Sequence, residues 1–206
     1  LMDRLQVYEE RTGRYVDVFQ EHVKNAEVVA DMGSGAGVFS KALVNGKRLV
    51  IALDIQEEFL RGLKGLGIER ICADAHYIPF CESSVDCVLS LSLMEHLRTP
   101  KKHVEEIHRI LSCGGSFIVQ VPNLQYLFEP HSKWPLLCFL PESLQSKIFK
   151  MIDYSYVNMK VTIKYVLTLF RESGFKSKKR IKVYHLGIMK LLPVAPSYFF
   201  VVEKIC

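Results

Sequence analysis

The sequence predicts a doubly wound α/β fold, and three observations carry that prediction. Short apolar runs recur at Val28 to Met32, Leu49 to Asp54, Ile68 to Cys72, Val85 to Leu91 and Ser116 to Val121, which is how strands covered on both faces read. Apolar residues at helical spacing lie between them, so strands and helices alternate around a mostly parallel sheet. The first two runs end in carboxylates, Asp31 and Asp54, and the first opens into a turn carrying Gly33, Gly35 and Gly37.

Taken in order, Met2 to Val23 places Leu5, Tyr8, Tyr15, Val16, Phe19 and Val23 near helical spacing with Gly13 interrupting, which predicts two helical pieces ahead of the sheet. Helices are expected over Val38 to Leu43, Glu57 to Lys64 and Pro100 to Leu111. Cys113-Gly114-Gly115 is expected to end the last of these and start the fifth strand, which closes on Pro122-Asn123. Residues Leu124 to Lys160 depart from the pattern: Tyr126, Phe128, Trp134, Phe139, Phe149, Tyr154 and Tyr156 are broken up by Pro130, Pro135 and Pro141, the mark of an insertion. Helices near Glu142 to Lys150 and Thr162 to Ser173 follow from apolar spacing and their acidic or hydroxyl starts. Strands over Lys178 to His185 and Ser197 to Glu203 close the sheet.

At 206 residues and 49% hydrophobic content the chain suits one α/β domain with a sizeable core. No apolar stretch is long enough to span a bilayer; Trp134 to Leu140 is short and contains Pro135. Six cysteines show no C-x-x-C spacing, and reduced thiols in a cytoplasmic protein are expected. The net charge of +5 is uneven: from Pro141 onward Lys and Arg outnumber Asp and Glu by eight. That surplus reads as a solvated surface or an anion-binding face.

The glycine turn is the first functional signal. Glycines allow positive φ and remove the Cβ atoms that keep a ligand off the backbone. A dinucleotide fingerprint runs G-x-G-x-x-G, but Val38 stands where its third glycine would fall and the pattern is D-x-G-x-G-x-G. This resembles motif I of the class I S-adenosylmethionine-dependent methyltransferases, type 11 subgroup. Asp54, 21 positions beyond Gly33, then stands where a carboxylate accepts from both ribose hydroxyls; capping of the next helix is its other reading. The segment Ala73-Asp74-Ala75-His76-Tyr77-Ile78-Pro79-Phe80 is similar to the family's D-A-x-x-L-P-F, Ser90 to Leu97 resembles its S-x-x-x-x-E-H-L, and Gly114-Gly115 and Gly174-Phe175 match two further corners.

The resemblance covers Glu27 to Asn123 and implies a Rossmann-like seven-stranded sheet with an antiparallel last strand and helices on both faces. It divides the chain into a cofactor-binding core (24–123), an insert or substrate lid (124–160) and a C-terminal helix and strands (161–206). It implies S-adenosylmethionine as cofactor, S-adenosylhomocysteine as product, and a binding set of Asp31, Met32, Gly33, Ser34, Gly35, Asp54, Ile55, Asp74, Ala75, Ser90 and Leu91. Within that set Ile55 would pack on the adenine, Asp74 would accept from its amino group and the Ala75 backbone would touch the ring edge. The thinner likeness of Glu129-Pro130-His131 and Leu140-Pro141 to a type 11 insert leaves the acceptor open.

Methyl transfer from a sulfonium needs alignment and exclusion of water more than it needs a residue's chemistry. His96, His131 and Glu129 are candidate bases, His96 and His131 foremost, with packing or surface roles as the alternatives. Some ubiquinone-pathway O-methyltransferases of this fold bind magnesium through an acidic residue where this chain has Ser92, so no metal is expected. The N/D/S-P-P-Y/F/W signature of base methylation is missing after the fourth strand, and no aromatic interleaves the run Lys176, Lys178, Lys179, Arg180, Lys182, which argues against nucleic acid. The expected partner is a small-molecule or lipid-like acceptor seated in the aromatic insert, with a homodimer left open. The alternatives are a non-catalytic S-adenosylmethionine-binding protein, an RNA or protein methyltransferase using the basic C-terminal region, and a misread dinucleotide domain.

Overall fold

The structure, a computed structural model, describes residues 20–123, 140, 141, 144, 147, 161–183 and 197–206. One sheet of seven strands runs through it: β1 (Val28–Met32), β2 (Leu49–Asp54), β3 (Ile68–Cys72), β4 (Val85–Leu91), β5 (Leu111–Pro122), β6 (Phe175–Val183) and β7 (Ser197–Lys204), in the spatial order β3-β2-β1-β4-β5-β7-β6. The pairs from β3 across to β5 are parallel, and β7 lies antiparallel between β5 and β6. This is the expected mostly parallel sheet with an antiparallel last strand. Among the described residues the sheet is accompanied by the helices α1 (Val38–Leu43), α2 (Glu57–Arg61), α3 (Pro100–Ile110) and α4 (Ile163–Glu172).

Strand alternation divides the core in two. Ala30, Met32, Ile51, Leu53, Val88, Phe117 and Val119 face one side, where Val104 and Ile107 of α3 and Val166 and Phe170 of α4 pack on them. Val29, Val50, Ala52, Cys87, Leu89 and Ile118 face the other, against Leu43 of α1 and Leu60 of α2. Both faces are covered, which is why these strands read as unbroken apolar runs. Phe117, Phe170 and Phe175 meet at 5.6–6.2 Å between ring centroids and lock α4 to β5 and β6.

Several boundaries differ from expectation. β5 begins at Leu111, without a break after α3: Leu111 pairs with Val85, and after a register shift Ser116 pairs with Cys87. Ser112 Oγ donates to Val85 O and Asp86 Oδ1, so Cys113-Gly114-Gly115 is an irregularity inside a strand, not a helix stop. β6 starts at Phe175, whose buried ring anchors it opposite Lys204. Helix α2 stops at Arg61 because Gly62 caps it and Leu63 N–H turns back to Leu60 O. Of the two helical pieces expected before the sheet, residues 20–23 are described and are helical. Of the helix expected over Glu142 to Lys150, Leu144 and Lys147 are described, both helical; apart from these and Leu140 and Pro141, the insert lies outside the described residues.

Two polar devices position the functional edge. Arg109 on α3 donates to Phe80 O at 2.8 Å and Ile78 O at 2.9 Å, while Glu106 accepts from Arg109 and from Ile78 N–H. The pair clamps the loop after β3 onto α3, and its charge-assisted bonds hold Glu106 below the usual carboxylate range. At the opposite edge Asp86 Oδ2 accepts from Glu27 N–H and Val28 N–H, both at 2.9 Å, and fixes the entry to β1.

The expectation of six reduced thiols is corrected at one pair. Cys113 in β5 and Cys206 beyond β7 are joined in a disulfide with Cα atoms 5.5 Å apart across 93 residues of sequence. The sequence holds no signal for this, since only the antiparallel return of β7 beside β5 brings the two together. Cys87 is buried among apolar side chains, which push its thiol up to about 12 and make it inert. No described helix is long and apolar enough to cross a membrane. Thiol titration in denaturant should therefore rise by two groups when a reductant is added; an unchanged count would mean that the pair is open.

Candidate functional site

The strand order reverses at β1, since the chain passes outward through β2 and β3 and then returns to place β4 on β1's other side. Ligands of open α/β sheets bind at such a switch point, outside the carboxyl ends of the strands. The glycine turn sits there, and its hydrogen bonds define its chemistry. Gly33 and Ser34 N–H donate to Leu53 O at 2.8 and 3.1 Å, Gly35 N–H donates to Asp54 Oδ2 at 2.8 Å, and Gly37 N–H donates to Ser34 O at 2.9 Å. A phosphate cradle needs such groups pointing at its ligand. Here all four are engaged inside the protein.

The glycines differ in what surrounds them. A Cβ on Gly37 (φ +67°) would lie 2.5 Å from a Leu63 methyl, and one on Gly33 would lie 2.8 Å from Leu93. Gly35, at φ +51°, would meet nothing within 4 Å. The open space of the turn is therefore at Gly35.

Two carboxylates flank it. Asp54 Oδ1 accepts from Gln56 N–H at 2.9 Å while Oδ2 holds Gly35, and each oxygen has a second lone-pair direction to offer. The helix-capping reading is accounted for in part by the Gln56 bond, since Gln56 is the N-cap of α2. Asp31 is buried, with Ser40 Oγ donating to it at 2.6 Å. Burial pushes its carboxyl up to about 6; the Ser40 bonds oppose the shift and the Asp54 charge adds to it. Met32 is buried in the core, so its backbone is what it can present to a ligand. Ile55 follows Asp54 with 66% of its surface exposed, an apolar platform at the mouth of the site.

The loop after β3 closes the far side. Ala73 N–H donates to Asp54 O at 3.1 Å. Asp74 Oδ1 accepts from His76 N–H at 2.9 Å and pairs with His76 Nδ1 at 2.6 Å. Burial raises the Asp74 pKa, but the His76 backbone and ring outweigh it and hold the carboxyl below its usual range. Ala75 is buried, and its carbonyl lies 2.9 Å from Nδ1 of His103. The other ring nitrogen of His103 lies 3.1 Å from Oγ of Ser90, itself fully buried at the end of β4. Ser90 thus stands behind the edge, facing α3.

His103 is the residue that sequence reasoning missed. Its spacing to Ile107 and Ile110 places it on the apolar stripe of α3, and that was the available signal. Burial pushes its pKa down to about 4. A neutral buried imidazole costs stability as pH falls from 6.5 toward 4, because the unfolded chain takes up the proton first. Asp31 acts with opposite sign: its raised pKa makes the fold gain stability as pH falls from about 6 toward 3.8, so the two groups offset one another in the same window.

Beyond β4, Ser92 adopts φ +53° and is held on both sides by Gln120: its N–H donates to Gln120 O at 3.0 Å and its Oγ donates to Gln120 Oε1. A left-handed serine is a strained position that neighbours must hold in place, and here it turns Leu93 over Gly33. Leu91, half-buried, ends the strand, and His96 lies half-buried in the short 3₁₀ turn Met94–His96. His131, Glu129 and Trp134 lie outside the described residues. Among the described residues, no three His, Cys, Asp or Glu side chains gather to hold a metal ion. On β6, Lys178 pairs with Glu203 at 2.9 Å, Lys179 with Glu21 at 2.8 Å, and the Arg180 guanidinium lies 4.4 Å from the Tyr198 ring centroid.

Gly35→Ala should lose about 1 kcal/mol of stability from φ alone, whereas Gly37→Ala adds overpacking of Leu63 worth about 1–3 kcal/mol more. Urea unfolding of both variants checks this, and equal losses would contradict the assignment of open space to Gly35.

The fold agrees with that of known proteins. A family model described as a methyltransferase domain, type 11, matches residues 30–119, from β1 to β5. An uncharacterized protein of Methanocaldococcus jannaschii is 26% identical over 176 residues, 85% of this chain and 77% of that protein. A ubiquinone/menaquinone biosynthesis C-methyltransferase of Blochmanniella floridana is 34% identical over 112 residues, 48% of this chain and 44% of that enzyme. The chain thus spans less than half the length of that second relative. The crystal structure of a Pyrococcus horikoshii protein shares the fold with a TM-score of 0.74 at 19% identity, over 96% of this chain and 91% of that one. The resemblance read from Asp31, the glycine turn and the segments after β3 and β4 is matched by these comparisons: residues 30–119 carry a class I, type 11 methyltransferase domain, of the kind that uses S-adenosylmethionine as methyl donor.

Proposed function

We propose that the chain transfers a methyl group from S-adenosylmethionine to a small-molecule or amphiphilic acceptor. The observation that carries this reading is the chemistry of the glycine turn. Its four inward-turned N–H groups offer a pyrophosphate nothing to bind, and the two acids beside it, Asp31 and Asp54, favour a ligand with a cationic centre. The space at Gly35 suits the aminoacid end of such a ligand, with the backbone of Met32, Gly33 and Ser34 beneath it. The free lone pairs of Asp54 suit the two ribose hydroxyls, exposed Ile55 suits one face of adenine, and Asp74 with the Ala75 backbone suits the ring edge. Leu91 and the backbone at Ser90 would line the floor at the end of β4.

When bound, S-adenosylmethionine supplies a methyl group on a sulfonium, already activated for displacement by an acceptor O, N, S or C. The chain's own residues supply orientation and a dry site; orientation of two reactants is worth roughly 7–11 kcal/mol in favourable cases. Where the acceptor must lose a proton, His96 is the base of choice, since it follows β4 at the functional edge; His131 on the insert is the second. The aromatic insert, Trp134 included, would cover the acceptor. An amphiphilic acceptor is further supported by the quinone-pathway name of the Blochmanniella relative. The ion pairs and ring stacking of Lys178, Lys179 and Arg180 on β6 argue for a surface role of the basic strand over a phosphate-binding one.

Transfer of labelled methyl groups from S-adenosylmethionine into a cell extract should label a low-molecular-weight, organic-extractable product; label in RNA or protein alone, or in nothing, would contradict the reading. Asp54→Ala should weaken S-adenosylhomocysteine binding by about 1.5–3 kcal/mol or more, because a charged acceptor for two hydroxyls is lost. Unchanged affinity in calorimetry would reduce Asp54 to the tether of Gly35 and Gln56.

A further inference from the structure

His103 ties together α3, the loop after β3 and the end of β4. It projects from the first turn of α3, is fully buried, and packs edge-on to Phe117 at 6.3 Å between ring centroids. One ring nitrogen, Nδ1, lies 2.9 Å from the Ala75 carbonyl oxygen, and the other, Nε2, lies 3.1 Å from Ser90 Oγ. A carbonyl oxygen can only accept, so Nδ1 carries the proton and Nε2 accepts from the serine hydroxyl. One tautomer of a neutral ring satisfies both partners. The pairing of a serine with a histidine is no nucleophile here, because both groups are buried and the second nitrogen faces a peptide where a triad has a carboxylate.

The loop held by this ring is the one that carries Asp74. The Asp74 carboxylate grips His76 through backbone and ring, and Thr99 N–H at the start of α3 reaches His76 Nε2 at 3.4 Å. The loop is therefore pinned to α3 at three points, by the Arg109–Glu106 clamp on Ile78 and Phe80, by Thr99 at His76, and by fully buried His103 at Ala75. We propose that His103 is a positioning residue for purine recognition: by fixing the Ala75 peptide against Ser90 at the end of β4, it sets the place from which Asp74 and Ala75 read the six-amino edge of the base. This rests on the S-adenosylmethionine reading of the site, and it adds a selectivity, for a six-amino over a six-oxo purine, that depends on a residue remote from the ligand.

Calorimetry of the full chain with S-adenosylhomocysteine and with S-inosylhomocysteine tests it. His103→Leu should lose about tenfold in affinity for the adenosyl compound, the equivalent of one buried hydrogen bond's positioning, and much less for the inosyl compound, so that the preference between them narrows. His103→Asn keeps a donor for the Ala75 carbonyl and should retain the preference, whereas His103→Gln, whose amide reaches toward Ser90 instead, should lose it. If His103→Leu does not fold, the ranking of Asn above Gln decides. Wild-type binding of S-adenosylhomocysteine with the same preference in all variants would overturn the role of His103 alone, since a merely structural residue would weaken both ligands alike. Failure of the wild type to bind either compound would overturn the S-adenosylmethionine reading and this inference together.

Discussion

The functional edge of this protein depends on the end of β2. Leu53 O receives the N–H groups of Gly33 and Ser34, and the Asp54 carboxylate receives those of Gly35 and Gln56. The glycine turn is consequently shaped by its neighbour strand. The same carboxylate spans the space at Gly35 and the N-terminus of α2. Donors that elsewhere cradle a phosphate are used here to build the wall, and what remains at the surface is acid, apolar side chain and room.

That arrangement has an electrostatic consequence. Asp31 and Asp54 repel each other, and burial of Asp31 brings its carboxyl to about 6, so near neutral pH a cationic ligand would complete its ionisation. On the other side of the crevice the charges are settled internally: Asp74 by His76, Glu106 by Arg109, and His103 by remaining neutral. Asp31 and Asp54 thus place negative charge beside the glycine turn, while Asp74 and the Ala75 backbone over the loop after β3 offer hydrogen bonds.

Much of this was legible in the sequence because covered parallel strands are short, apolar and end where the ligand binds. β1 to β4 and the turn between β1 and α1 follow from that pattern with little ambiguity, as do Asp31 and Asp54 at its ends. The start of β5 was not legible: Gly114-Gly115 after a helix looks like a stop, and only pairing of Leu111 with Val85 shows that the strand is already under way. β6 was read too late because its lysines hide the anchoring role of Phe175. His103 looks like one more polar residue of an amphipathic helix, and its burial depends on a loop about 28 positions earlier packing over it. The Cys113–Cys206 link is a product of strand order and has no local signature. Sequence pattern reports what repeats along the chain; it is silent on contacts made once.

The central claim is that the glycine turn, with its inward N–H groups and flanking acids, admits an adenosyl ligand with an ammonium-bearing aminoacid end and rejects a dinucleotide. Titration calorimetry of the wild-type chain with S-adenosylhomocysteine and, separately, with NAD measures this directly. The account predicts binding of S-adenosylhomocysteine and no binding of NAD at the same site. Tight NAD binding without S-adenosylhomocysteine binding would contradict it.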